Sequence, residues 1–168
     1  LGGDGGDELL AGYDPFLAHT LLPNIRIPKS VIEMLAFLAD KLFNVSDENM
    51  SIDFKIRHLL RGLPFNTELR NEVWLSAFQP DRIKKVLNNY DVSDNEIYES
   101  VNSLQTEKMS VVQKAIYCYT KLYLPNDILV KVDRASMMNS LEARAPFLDV
   151  EFAEFVNSLP DNFKIRYG

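Results

Sequence analysis

The chain has 168 residues, 46% hydrophobic and 25% charged, with a net charge of −6; this is globular composition and excludes a disordered or fibrous protein. The negative balance, with no stripe of Lys and Arg interleaved with aromatics, argues against a nucleic-acid partner. No apolar run approaches the ~20 residues that span a bilayer and no basic-then-apolar leader is present, so no membrane partner is expected, and the single cysteine, Cys118, is compatible with a reducing cytoplasm.

The chain opens on Leu1-Gly2-Gly3-Asp4-Gly5-Gly6-Asp7-Glu8. Glycines let the backbone take positive φ and approach an anion with no side chain between, and an ionised Asp can hold a hard cation such as Mg²⁺ beside it. The pattern points to phosphate and metal chemistry, although a Gly/Asp cluster taken alone is more often a surface turn. A short apolar helix start, Leu9-Leu10-Ala11-Gly12-Tyr13, follows at once. Glu8 suits the positive end of that helix better than a catalytic role.

From there apolar residues recur every three or four positions, and strands are hard to find. Pro28-Lys29-Ser30 opens a helix ending near Asn44, with Val31, Leu35, Leu38 and Leu42 as its core-facing stripe. Ser51 caps a helix of about three turns that Gly62 and Pro64 close. Another helix carries Trp74, a short basic one begins at Gln79-Pro80-Asp81, and one from Ser93-Asp94 extends toward Leu104. The doublet Lys84-Lys85 reads as a solvated helix face. His19 and His58 lack zinc-ligand spacing and read as ordinary residues. Ser110 starts the longest apolar run, which Pro125 is expected to break, with Asn126 or Asp127 capping the next helix. In that next helix Ile128, Val132 and Ala135 form the buried stripe and Asp133 points away. Pro146 separates it from a last helix near 149–158. With no internal repeat, low-complexity tract or flexible linker, the chain reads as one continuous helical unit.

Two segments carry a resemblance. The opening string resembles Ser-Gly-(Glu or Asp)-Gly-(Ser or Gly)-Asp-Glu-(Leu or Val)-Phe-Gly-Gly-Tyr, a hallmark of the synthetase domain of glutamine-hydrolysing asparagine synthetases. Far downstream, Leu124-Pro125-Asn126-Asp127-Ile128-Leu129-Val130-Lys131-Val132-Asp133-Arg134-Ala135-Ser136-Met137-Met138-Asn139-Ser140-Leu141-Glu142-Ala143-Arg144-Ala145-Pro146-Phe147-Leu148-Asp149 is similar to that family's second hallmark, in the expected order. Gly2 stands where the family commonly has Ser, Leu10 replaces Phe, and Ala11 replaces Gly.

The resemblance implies a mainly α chain that is a fragment of an α/β, Rossmann-like synthetase domain of the adenine-nucleotide-hydrolase type, with residues 1–168 a partial domain. It implies an ATP- and Mg²⁺-dependent ligase, cytoplasmic, that turns aspartate into asparagine. The aspartate carboxylate is adenylated, and ammonia, supplied from glutamine by a glutaminase domain in the same parent chain, displaces AMP. Gly2 and Gly3 match the ATP-contacting pair, Asp7 the Mg²⁺ ligand, and Asp4 the catalytic carboxylate position, often Glu, tied to forming and using the adenylate. A carboxylate there can accept a proton from the attacking ammonia. Asp133, Arg134, Glu142 and Arg144 are expected to pair in the interior and shape the substrate pocket. The family's pyrophosphate loop is expected upstream and its catalytic lysine just beyond Gly168. Lys164 matches only the preceding Lys-x-Arg element, so residues 1 to 168 alone are expected to be inactive. Two alternatives remain: a related adenylating amidotransferase or β-lactam-type synthetase acting on another acceptor, and a non-catalytic helical binding module.

Overall fold

A computed structural model describes residues 1–22, 27–42, 51–76, 78, 80–87, 93–104 and 106–166. The described residues are helical and include no strand. In chain order the helices are α1 (Gly6–Leu10), α2 (Asp14–Leu21), α3 (Lys29–Leu42), α4 (Ile52–Gly62), α5 (Thr67–Leu75), α6 (Pro80–Val86), α7 (Asp94–Ile97), α8 (Glu99–Asn102) and α9 (Val111–Cys118). A π-helical stretch, Tyr119–Ile128, leads into α10 (Leu129–Met137); a 3₁₀ turn, Pro146–Leu148, precedes α11 (Val150–Ser158) and α12 (Asp161–Lys164). None of these helices is long and apolar enough to cross a membrane.

Contacts divide the chain into two compact units, Leu1–Leu21 with Leu104–Gly168, and Leu22–Ser103. The sequence reads as one unit because no flexible linker marks the boundary; the division lies in which helices pack together.

In the first unit α2 packs on α9, and α1 rests on the π-helical stretch and α11. Leu9, Phe16, Val112, Ala115, Ile116, Cys118, Tyr119 and Val156 form its buried core. The start of α9 was legible: Ser110 accepts from the Gln113 N–H at 3.1 Å while the Gln113 side chain accepts from the Ser110 N–H, also at 3.1 Å. Such a reciprocal cap is worth about 1 kcal/mol. Asp149 caps α11 by accepting from the Phe152 N–H at 3.1 Å.

The expected break at Pro125 does not occur. The helix runs through it by widening into π geometry, in which the Leu129 N–H reaches the Leu124 carbonyl five residues back. In an α-helix the proline ring would meet the carbonyl four residues earlier; the wider turn accommodates it. Asn126 is not a cap either, since its side-chain amide donates to the Leu122 carbonyl at 2.8 Å. Asp127 pairs with Lys131 at 3.5 Å, one turn on. In α10 the expected buried stripe is absent. Ile128 and Val132 are only half-buried and Ala135 is exposed; Val132 borders an open cavity.

In the second unit α3 packs on α4 and α4 on α5. Of the α3 stripe predicted from Val31, Leu35, Leu38 and Leu42, Leu35 is half-buried and the other three are exposed, while Ile32 and Ala39 are buried. The apolar arc of this helix is wide and its buried part, at Ile32 and Ala39, lies to one side of the predicted stripe, so periodicity alone did not select the face; the predicted end near Asn44 lies outside the described residues. Ser51 does precede α4, but without a side-chain cap. Helix α5 is capped by Asn66, which accepts from the Leu69 N–H at 3.0 Å. The predicted segment from Ser93 is divided by Tyr98 into α7 and α8. Lys84 and Lys85 are exposed on α6, as a solvated face requires.

Arg70, fully buried, organises this unit by donating to three backbone carbonyls: Gly62 at 3.3 Å, Leu22 at 2.8 Å and Phe65 at 3.1 Å. Trp74 donates to the Leu59 carbonyl at 3.3 Å, and its own carbonyl is bonded to His58. A methyl group on Gly62 would run into the Trp74 indole and the Arg70 side chain, so α4 and α5 meet closely at this glycine.

Candidate active site

The opening loop is shaped by one glycine with a conformation that other residues avoid. Gly5 has φ 88 and ψ −14 and turns the chain into α1. It sits directly against Leu148, whose Cγ would lie 2.8 Å from a Cβ at this position. Gly6 faces the Phe147 ring, and the Gly2 N–H donates to the Arg144 carbonyl at 2.7 Å. The first motif therefore folds onto the end of the second, more than a hundred residues away in sequence.

That docking carries Asp4 to the wall of a cavity of about 300 Å³ that it shares with Val132, Asp133, Ser136, Glu142 and Arg144. Carboxylates from both motifs and one guanidinium thus border a single space. Glu142 and Arg144 pair at 2.6 Å, but both side chains are more than 70% exposed. The expected interior ion pair is a surface pair at the cavity rim, because the segment joining α10 to the 3₁₀ turn runs along the outside of the unit.

The four residues singled out from the sequence are not equivalent. Asp4 borders the cavity; Gly2 has committed its N–H to Arg144. Gly3 is exposed, with no atom within 4 Å of the place a Cβ would occupy. Asp7 is exposed in the first turn of α1 and leans over Gly12, where an added Cβ would collide with its carboxylate. Asp7 is not among the residues around the Asp4 cavity. Among the described residues no cluster of three or more His, Cys, Asp or Glu side chains could by itself enclose a metal ion. Lys164 borders a different cavity of about 300 Å³, with Tyr117, Lys121 and Asn157. Burial holds its ammonium below the usual lysine range, and Asp161 opposes that shift.

The sequence reading missed the group beneath the loop. Glu8, assigned to the helix end, is only 2% exposed and accepts a 2.7 Å hydrogen bond from the Tyr13 hydroxyl. The Tyr13 ring stacks on Tyr119 at 5.3 Å and meets Tyr123 edge-on at 6.3 Å. Burial, then the bond to Glu8, raises Tyr13 well above the usual phenol range, so it remains a proton donor. Tyr123 is also raised, by burial and then by the nearby Asp127 carboxylate. A carboxylate five residues before a tyrosine, ahead of a second tyrosine pair, was the available sequence signal.

Comparison with known proteins covers the whole chain, both motifs included. The family described as asparagine synthase matches residues 1–168. A glutamine-hydrolysing asparagine synthetase of Bacillus subtilis is 31% identical over 175 residues, covering 100% of this chain and 26% of that protein. The amidase chyE of Penicillium rubens is 26% identical over 187 residues, covering 98% of this chain and 26% of the amidase. The amidase chry2 of Gibberella zeae is 39% identical over 58 residues, 34% of this chain and 9% of its own length. The chain thus spans about a quarter of the length of the first two relatives. No solved structure matches it. With a family match running from the first residue to the last, the chain belongs to the asparagine synthase family.

Proposed function

We propose that this chain is the part of a longer, glutamine-hydrolysing asparagine synthetase that binds MgATP and aspartate. The observation that carries the reading is the meeting of Asp4 with Asp133, Glu142 and Arg144 around one cavity. The proposal includes an α/β, Rossmann-like domain completed by other parts of that protein, among them the pyrophosphate loop, the catalytic lysine and the glutaminase domain, and a cytoplasmic location.

The donor set fits the nucleotide and its cation. Open space over Gly3 lets a phosphate approach the backbone. Asp7 offers a single exposed carboxylate, which suits Mg²⁺, an ion that takes one or two protein carboxylates and completes its octahedron with phosphate and water oxygens. Bound there, Mg²⁺ would neutralise charge on the phosphates. In the reaction an aspartate carboxylate oxygen bonds to the α-phosphorus as pyrophosphate leaves. Ammonia then bonds to the activated carbonyl carbon as AMP leaves with the C–O bonding pair. Asp4 takes the proton that the attacking nitrogen must lose. Gly2 holds the loop in place through Arg144 and contributes to nucleotide binding through its backbone. Arg144 and Asp133 present opposite charges to the ends of a zwitterionic amino acid.

The test uses the full-length protein carrying this chain, supplied with ATP, Mg²⁺, glutamine and aspartate, with pyrophosphate and asparagine measured together. Equal amounts of the two, lost in Asp7→Asn, are expected. Pyrophosphate formed only with another acceptor would overturn the asparagine assignment in favour of a related amidotransferase, a second reading that the likeness to the fungal amidases favours. No turnover with any acceptor, alongside intact partner binding, would leave the helical binding module.

A further inference from the structure

Helix α1 is five residues long, and both flanking residues are left-handed: Gly5 at φ 88 and Ala11 at φ 58. So short a helix has no stability of its own, yet it carries Asp7 on its exposed side. What fixes its rotation lies on the buried side. Glu8, buried beside Leu9, takes the 2.7 Å hydrogen bond from Tyr13. Tyr13 is in turn held by Phe16 at 6.1 Å, Tyr119 at 5.3 Å and Tyr123 at 6.3 Å. Tyr119 and Tyr123 belong to the π-helical stretch that runs into the second motif. Successive residues on a helix point about 100° apart, so a Glu8 fixed inward also fixes the direction of Asp7, which is exposed.

We infer that Tyr13 is a positioning residue that, through Glu8, sets the rotation of α1 and so presents Asp7 to the metal–nucleotide ligand. The inference rests on the function proposed above for Asp7. It assigns to Glu8 the role of a buried acceptor, which its shape and oxygen fulfil; its charge is not required. Glutamine at this position keeps that oxygen, whereas alanine removes it.

The experiment uses the full-length protein and Mn²⁺ as the probe, titrated in the presence of ATP and followed by the electron paramagnetic resonance of the free ion. Tyr13→Phe keeps the ring packing and removes the hydroxyl. Loss of a group that orients a metal ligand typically weakens metal binding 10- to 100-fold, and about tenfold weaker Mn²⁺ binding is expected in Tyr13→Phe and Glu8→Ala. Glu8→Gln is expected to bind within about threefold of the native protein, since the acceptor survives. A merely structural role would lower the unfolding temperature of Tyr13→Phe and leave Mn²⁺ affinity of the folded protein unchanged, and that result overturns the inference. Amide hydrogen exchange over residues 4–10 is read in parallel without nucleotide. If the native protein binds no Mn²⁺ with ATP, the functional reading fails, and exchange then decides the lock alone. Faster exchange in Tyr13→Phe than in Glu8→Gln supports it, and equal exchange refutes it.

Discussion

Replacing Gly5 with alanine separates two effects that the structure places on one atom. The added Cβ would occupy a backbone conformation at φ 88 and would press into the Leu148 side chain, 2.8 Å from its Cγ. The left-handed conformation costs a non-glycine residue about 1–2 kcal/mol. Forcing a methyl group into a filled contact costs about 1–3 kcal/mol more as Leu148 or the loop shifts. Gly5→Ala should therefore destabilise the protein by about 2–5 kcal/mol, and a loss of about 3 kcal/mol moves a urea midpoint by about 1.5 M for a typical m-value of about 2 kcal/mol/M. Leu148→Ala removes the obstruction without changing φ. In that background Gly5→Ala should cost only the conformational part, about 1–2 kcal/mol, leaving a coupling of about 1–3 kcal/mol between the two sites. Urea unfolding of the native protein, both single variants and the double variant measures the cycle. The same cost for Gly5→Ala with Leu148 present or absent would show that the loop does not dock on Leu148, and the shared cavity of Asp4 and Asp133 would lose its support.

Two further outcomes are expected. Ala11, the other left-handed residue beside α1, has φ 58, so Ala11→Gly should raise stability by up to about 1 kcal/mol in urea unfolding, against the usual cost of adding a glycine. Glu72 is pushed above the ordinary carboxylate range by burial, and one of its oxygens has no hydrogen-bond partner. A group with a raised native pKa binds more protons folded than unfolded, so its contribution is complete below the unfolded value of 4.5 and is lost as pH rises through the native one. Glu72→Gln should accordingly be more stable than the native protein at pH 7, with the advantage shrinking toward zero below pH 4.5, as urea midpoints across that range would record.

What the sequence made legible was local chemistry. The Ser110 cap was readable because the side chain and its N–H partner lie three residues apart, and the start of α11 was readable from Asp149 followed by an apolar run. Pro125 misled because its α-helix rule does not cover the π turn that accommodates it. The α3 face misled because its apolar arc is wide and only part of it, at Ile32 and Ala39, is buried. At the site, each motif was recognisable by itself, but the sharing of a cavity by Asp4 and Asp133 depends on the Gly5–Leu148 contact and the Gly2–Arg144 bond, both between residues distant in sequence. The same holds for Glu8, whose partner Tyr13 packs on tyrosines more than a hundred positions later.

The π-helical stretch from Tyr119 to Ile128 makes the number of residues there a determinant of chemistry. A single-residue insertion or deletion in that segment would twist everything beyond it by roughly 100° about the axis. Asp133 and Ser136 would swing off the cavity wall while Tyr119, ahead of the change, kept its place against Tyr13. Length variation among relatives should thus be tolerated poorly in this stretch, even where residue identity is free to drift.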